Sequence, residues 1–153
     1  MIALLALLAC GGDAPAPSGG AAPTAAEPAA EPALSVAPLP TVNKLYRITW
    51  HTTPAPPPLS TLFEIEAVVT DPAGAPVEDA QVRINARMPQ HGHGMATNPE
   101  DDPGTCDAAG ACTHPGGRYL TRGMKFHMPG EWTLRFDVEG PAGADHLEVP
   151  LRL

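Results

Sequence analysis

Ala80-Gln-Val-Arg-Ile-Asn-Ala-Arg-Met88 decides the fold, because apolar and polar residues alternate along it without a break. Alternation with a period of two predicts a strand that buries one face and exposes the other. No stretch of the chain repeats apolar residues at helical spacing over three turns. The chain is therefore predicted to be all-β. The same alternation recurs in residues 46–51, 63–69, 132–138 and 147–153.

Turn sequences separate these alternating stretches. Asp71-Pro-Ala-Gly-Ala-Pro76 and Gly140-Pro-Ala-Gly-Ala144 each lie between two of them, and both have strong turn chemistry. Short antiparallel strands joined by such turns favour a β-sandwich. Residues 89–117 interrupt the pattern with a long segment rich in Gly, Pro and Asp. Loops of that length are commonly functional.

The beginning of the chain indicates export. Residues 1–9 are apolar throughout, but a membrane-spanning helix needs roughly 20 apolar residues, so we interpret them as the remnant of a signal peptide. Leu7-Leu-Ala-Cys10 resembles the lipobox of bacterial lipoproteins, in which the Cys carries the lipid. A short apolar N-terminus with a chance Cys is the alternative. Because no Lys or Arg precedes Lys44, we expect the true start to lie upstream.

Residues 10–40 are predicted to be a lipidated Cys followed by a Pro/Ala/Gly-rich linker. They contain almost nothing to bury, and such a composition predicts a disordered tether. Residues 41–153 remain for one domain with a real core. No Asp follows Cys10, which by bacterial sorting rules favours the outer membrane, on the periplasmic side of the envelope. The formal net charge of −8 and the lack of a basic stripe argue against a nucleic-acid partner.

The cysteines predict a disulfide. The chain has three Cys, and if Cys10 is lipidated, Cys106 and Cys112 remain as a pair around a run of turn formers. Oxidising conditions outside the cytoplasm favour a disulfide between them. The alternative interpretation makes Cys112 a metal thiolate beside His114, as in a blue-copper site.

Imidazole and thioether side chains are concentrated between residues 88 and 128. Met88-Pro-Gln-His-Gly-His-Gly-Met95 and Met124-Lys-Phe-His-Met128 hold every Met after Met1. Imidazole with thioether is a ligand set suited to copper, as Cu(I) or Cu(II), whereas His without Met points to zinc as the second choice. The predicted ligands are His91, His93, Met95, His127 and Met128, and a wider set adds Met88, His114 and Met124.

Several of these residues also have a purely structural interpretation. Met88 is in phase with the apolar residues of its strand, and Met124 precedes Phe126, so both positions are typical of a core. His51 and His146 are expected at the surface or at strand ends.

The two adjacent histidines leave two interpretations open. His91 and His93 are two residues apart, so both side chains point to the same side if the strand continues through them. The alternative is a polar Gly-His loop that packs under Trp132 by hydrogen bonding.

Four motifs together resemble a known family. They are the turn Asp71 to Val77, the stretch Met88 to Met95, Gly117-Arg-Tyr119, and Gly-Met-x-Phe-x-Met-Pro-Gly-x-Trp from Gly123 to Trp132. Over about residues 42–153 the chain resembles the YtkA-like/FixH-like family of small exported Ig-like domains. The resemblance implies an Ig-like antiparallel β-sandwich of about seven strands and a role in copper handling or oxidase assembly. The loop with Cys106 and Cys112 is not part of the family pattern.

These observations lead to two hypotheses from different classes. The first is a lipid-anchored copper-binding protein that stores, delivers or detoxifies copper and passes it to an envelope protein. The second is a protein-interaction or structural module of an envelope complex, in which the Met/His stretch is only a packed loop. An enzyme is not expected, because no Ser/His/Asp arrangement and no Gly-rich phosphate loop can be identified.

Overall fold

The computed structural model describes residues 37–153. The predicted signal remnant, Cys10 and most of the predicted linker lie outside the described residues. Within residues 37–153, no helix is long enough and apolar enough to cross a membrane. A 3-10 turn occupies Pro115–Gly117. The strands are β1 (Leu39–Pro40), β2 (Arg47–Thr53), β3 (Phe63–Thr70), β4 (Gln81–Met88), β5 (His93–Gly94), β6 (Glu100–Asp101), β7 (Thr105–Cys106), β8 (Cys112–Thr113), β9 (Arg118–Met124), β10 (Glu131–Gly140) and β11 (Gly143–Arg152).

Two antiparallel sheets form a sandwich. One has the strand order β1-β2-β3-β9-β6 and the other β11-β10-β4-β5, while β7 and β8 pair as a separate hairpin. The orders β2-β3-β9-β6 and β11-β10-β4 correspond to the A-B-E-D and G-F-C sheets of an immunoglobulin-like domain. The predicted all-β, Ig-like sandwich is therefore confirmed. The pairing of β1 with β2 extends it two residues before the predicted boundary at residue 41.

The core follows the predicted alternation. β4 buries every second side chain up to Met88, and β3 and β10 show the same period. Aromatic rings fill the end of the core near Trp132, where Phe126 lies 4.9 Å from Phe63 and 5.0 Å from Trp132 between ring centroids. Burying each such side chain stabilises the fold by about 1.5–3 kcal/mol.

The alternation fails in the middle of β2. Trp50, predicted to face the core, is only half-buried, and His51, predicted at the surface, is 8% exposed. His51 is opposite Glu66 on β3, with its Nδ1 4.0 Å from the carboxylate. Glu66 is also contacted by Arg118 at 2.6 Å. The periodicity was insufficient here because His51 is buried beside the neighbouring side chain of Glu66, which Arg118 also contacts.

β4 connects two ends of the sandwich that differ in chemistry. The end where β4 begins is named the Tyr/Asp end and is defined by Tyr46, His114, Tyr119 and Asp145. There the Tyr119 hydroxyl donates to the carbonyl of Val77 (2.8 Å) and accepts from the amide of Ala80 (3.1 Å). Since β4 has eight residues, the other end, where Met88 lies, is roughly 25 Å away.

Candidate functional site

The first His pair lies in a hairpin between β4 and β5. The carbonyl of Met88 accepts the backbone N–H groups of His91 (3.1 Å) and Gly92 (3.0 Å). Gly92 has φ 70°, a left-handed conformation that favours glycine. The chain therefore turns back, and His93 pairs with Met88 across the two strands. Of the two interpretations left open, a single strand through both histidines does not apply, because the chain reverses between them.

The second Met/His cluster reaches the same end of the sandwich. It lies in the connection between β9 and β10, and the register of β10 on β4 places Thr133 opposite Arg87. Met88 packs directly beneath this connection, since a Cβ atom at Gly130 would lie 2.7 Å from the Met88 Cε. The corner that holds the second cluster therefore lies against the end of β4.

The three imidazoles form a row. The His91 and His93 ring centroids are 5.7 Å apart, and those of His93 and His127 are 5.2 Å apart. Two imidazoles that bind one ion through nitrogens about 2.0 Å away have centroids roughly 5–6 Å apart. The spacing therefore fits a shared ion. We name the group of His91, His93, Met95, His127 and Met128 the His/Met corner.

His93 has a defined tautomer. Its Nδ1 lies 3.0 Å from the carbonyl oxygen of Gly94, and because a carbonyl only accepts, Nδ1 must carry the proton in that hydrogen bond. In the neutral ring, the lone pair is then on Nε2. Metal-binding histidines commonly donate their other ring N–H to a carbonyl in this way.

His127 contains a buried polar atom without a partner. Its Nδ1 is shielded from solvent and makes no hydrogen bond. The ring meets Trp132 edge-on with centroids 5.4 Å apart, and the Trp132 indole N–H donates to the Met128 carbonyl at 3.1 Å. A buried unpaired polar group costs about 1–3 kcal/mol, so this position is not optimised for stability alone.

The methionines divide into two classes. Met95 and Met128 are half-buried and pack against the core from outside. Met88 and Met124 are 1% and 0% exposed and belong to the core itself. The structure therefore places the two methionines of the wider set in the hydrophobic core, as their phase along the strands indicates.

His114 is also removed from the wider set. Its ring packs on Tyr119 with centroids 4.1 Å apart, and its Nδ1 lies 3.2 Å from the Arg118 carbonyl. Its backbone N–H donates to Glu78, just before β4. His114 thus lies at the Tyr/Asp end, roughly 25 Å from His93. The 89–117 excursion spans both ends of the sandwich, which sequence spacing does not reveal.

Cys106 and Cys112 are joined by a disulfide, as predicted. It closes the β7–β8 hairpin, where the two residues lie directly opposite each other. The interpretation of Cys112 as a metal thiolate does not apply to this oxidised form.

The His/Met corner combines imidazole with thioether side chains. In the part of the chain that the structure describes, no three His, Cys, Asp or Glu side chains are gathered as a metal-ligand cluster. Only His93 contacts both of the other imidazoles. Imidazole and thioether side chains together could hold Cu(I), because thioether is a soft ligand, whereas zinc sites use His, Cys and carboxylate ligands.

Two supporting residues were not identified from the sequence. Ser60 donates its backbone N–H to Phe126 (2.7 Å) and its hydroxyl to the carbonyl of His127 (3.3 Å). Gln90 donates to the carboxylate of Glu131 and so ties the hairpin to β10. Gln90 lies inside the Met/His stretch, which is a signal that could have found it, whereas nothing in the sequence singles out Ser60.

The family comparison agrees with this architecture. The model of the YtkA-like family matches residues 44–137, more than half of the chain, and the chain belongs to this family. The matched range begins just before β2, ends within β10 and includes the whole His/Met corner. No match was found among curated proteins, and none among solved structures.

Proposed function

We propose that this member of the YtkA-like family binds a copper ion at the His/Met corner, for storage, delivery or detoxification. The observation that carries the proposal is the meeting of the two Met/His clusters, with the His93 and His127 rings 5.2 Å apart. Two loops distant in sequence bring soft thioethers and imidazoles to one place. Such a donor set suits Cu(I).

The three histidines have different parts in this proposal. His91 and His93 are exposed, whereas His127 is half-buried and carries the unpaired Nδ1. His91 and His93 would offer exposed imidazoles to a Cu(I) ion, and His93 together with His127 would hold it. Met95 or Met128 would add a soft thioether ligand. His93 belongs to both pairs of imidazoles because its ring lies between those of His91 and His127.

Transfer to another protein follows from the position of the site. His91 and His93 lie on the surface, so an incoming ligand from an envelope protein can replace them one at a time. No catalytic step is part of this proposal. We further propose that a lipid on Cys10 anchors the chain on the periplasmic side of the envelope, with the outer membrane favoured.

Titration with Cu(I) held by a coloured competing chelator tests the binding proposal. The full chain should take up about one equivalent. A His91→Ala/His93→Ala variant should lose affinity by at least about 100-fold. His146→Ala removes a half-buried histidine beside Asp145 at the other end and should leave the affinity unchanged. Equal affinity of the double variant and the natural chain would exclude the His/Met corner as the site.

A structural or protein-interaction role is the second candidate. It is favoured by the edge-on contact of His127 with Trp132 and by the hydrogen bond from the Trp132 indole to Met128. In that case the corner serves as packing only. Thermal melts without metal separate the two roles. The His91→Ala/His93→Ala variant should melt like the natural chain if the residues serve copper, and at a lower temperature if they serve packing.

A further inference from the structure

The β7–β8 hairpin is a second place where soft ligand atoms are held side by side. Cys106 and Cys112 are directly opposite each other, with Cα atoms 3.9 Å apart, and both residues are exposed. Cys112 also lines a groove together with Ala80 and His114. The hairpin therefore belongs to the Tyr/Asp end, away from the His/Met corner.

The hairpin has its own support besides the disulfide. The Asp107 carboxylate accepts the backbone N–H groups of Ala109 and Ala111, both at 2.9 Å. The Asp107 N–H donates to the Ala111 carbonyl at 2.9 Å, and the Gly110 N–H donates to the Asp107 carbonyl at 3.1 Å. None of these bonds involves sulfur. Two thiols at these positions would therefore remain opposite each other, and such preorganisation favours binding.

Opening the disulfide would also leave the sandwich complete. Among the described strands, β7 and β8 pair only with each other and with neither large sheet. Neither cysteine belongs to the hydrophobic core. The sulfur atoms are thus accessible to exchange without unfolding.

We propose that Cys106 and Cys112 are a reversible redox pair whose dithiol form is a second Cu(I) site. An external dithiol supplies the reducing equivalents: its thiolate attacks one sulfur, forms a mixed disulfide and releases the other cysteine as a thiolate. The second thiol of the donor then closes the donor's own disulfide. Two electrons and two protons pass from the donor to the pair. On binding Cu(I), each cysteine loses its proton and contributes a soft thiolate ligand.

The test compares the oxidised full chain with the chain reduced by dithiothreitol and desalted without oxygen. Cys10→Ser is included in every sample so that its thiol does not contribute. Titration with chelator-buffered Cu(I) and ascorbate should show about one more equivalent bound by the reduced chain. Cys106→Ser and Cys112→Ser should each abolish this increment. Asp107→Ala, which loosens the turn, should weaken the additional site about tenfold.

Two results would overturn the redox proposal. One is equal copper uptake by the oxidised and reduced chains, and the other is a disulfide that dithiothreitol cannot reduce while the chain is folded. The His91→Ala/His93→Ala variant keeps the two sites distinguishable. If its reduced form still gains the increment, the thiol site is independent, and if the increment disappears, the proposal is wrong. An oxidised natural chain that takes up no copper contradicts only the His/Met corner proposal.

Discussion

The Tyr/Asp end and the His/Met corner differ in how their polar side chains are hydrogen-bonded. At the Tyr/Asp end, the Tyr46 hydroxyl donates to the Gly143 carbonyl (2.8 Å) and accepts from the Ala142 N–H (3.1 Å). At the corner, the Nδ1 of His127 is buried without a partner. Since buried polar groups are normally paired, the first end follows the usual pattern, and the second leaves one polar atom of its described residues without a partner.

Asp145 is the most strongly supported group of the Tyr/Asp end. Its carboxylate accepts backbone N–H groups from Asn43, Leu45 and His146 at 2.9–3.2 Å. Burial alone would raise the pKa of Asp145, but hydrogen bonds from the Thr41 hydroxyl and these N–H groups outweigh it and lower the pKa from 3.8 to about 2. The charged form is therefore the one that the fold stabilises.

Asp145→Ala should have the largest effect on stability. It leaves the part-buried backbone N–H groups of Asn43, Leu45 and His146 without this acceptor, so the free energy of unfolding should fall by about 3 kcal/mol. The melting temperature should drop by roughly 10 °C. Urea denaturation of the metal-free chain measures the change, and copper affinity should be unaffected.

Asp137→Ala is the matched control for this prediction. Asp137 forms an ion pair with Arg135 at 2.7 Å, but its side chain is 42% exposed. Surface ion pairs contribute less than about 1 kcal/mol. If both variants lose the same free energy of unfolding, the hydrogen bonds to Asp145 stabilise the fold no more than a surface ion pair does, and the prediction is wrong.

Acid should weaken the molecule through the same carboxyl group. The pKa of Asp145 is about 2 in the folded state against an ordinary value of 3.8, so the stabilisation that its charged form provides is fully present above pH ~4. As the pH falls from about 4 to about 2, the free energy of unfolding should decrease by about 2 kcal/mol. Denaturation curves recorded between pH 5 and pH 2 check this, and Asp145→Ala should flatten the dependence. A natural chain whose stability stays constant over this range would contradict it.

Substitutions of the thioether side chains test the His/Met corner. Met128→Leu or Met95→Leu should lower Cu(I) affinity about tenfold, or about 1.4 kcal/mol, because leucine has no sulfur. Stability should change little, since the two side chains have similar volumes. Met124→Leu, at a fully buried position, is the control that should not change affinity. An effect of Met124→Leu as large as that of the corner variants would mean that affinity reports packing.

His127→Phe should have the smallest effect on stability, and the direction of that effect separates the two roles proposed for the corner. A phenyl ring can keep the edge-on contact with Trp132 while removing the unpaired Nδ1. The metal-free chain should be equally stable or gain up to about 1 kcal/mol, while copper affinity falls. Calorimetric melts measure the stability. A marked loss of stability would instead favour the structural role of the corner.

Most of the sandwich was predictable because alternation reports one-sided burial directly. The stretch Ala80 to Met88 and the stretch Trp132 to Val138 formed strands in the predicted phase. The prediction failed at His51, which is buried beside the side chain of Glu66. Periodicity also does not reveal where a chain reverses, as it does at Gly92, which has a positive φ and lies in a hairpin.

The candidate site was predictable in its residue types but not in its assembly. Imidazole and thioether could be recognised by composition, and Met88 and Met124 were already in phase with core positions. The separation of His114 from His93 depends on which end of β4 each loop meets. That is set by strand pairing, such as Thr133 opposite Arg87, and not by distance along the chain.

The pairing of β1 has a consequence for the edge of the first sheet. Leu39 and Pro40 lie opposite Ile48 and Arg47, at the beginning of β2 and beside the turn that Asp145 holds. Antiparallel pairing with these two residues covers the start of the β2 edge. An edge strand that is covered in this way offers fewer open backbone groups to a second chain, which protects against unwanted strand pairing.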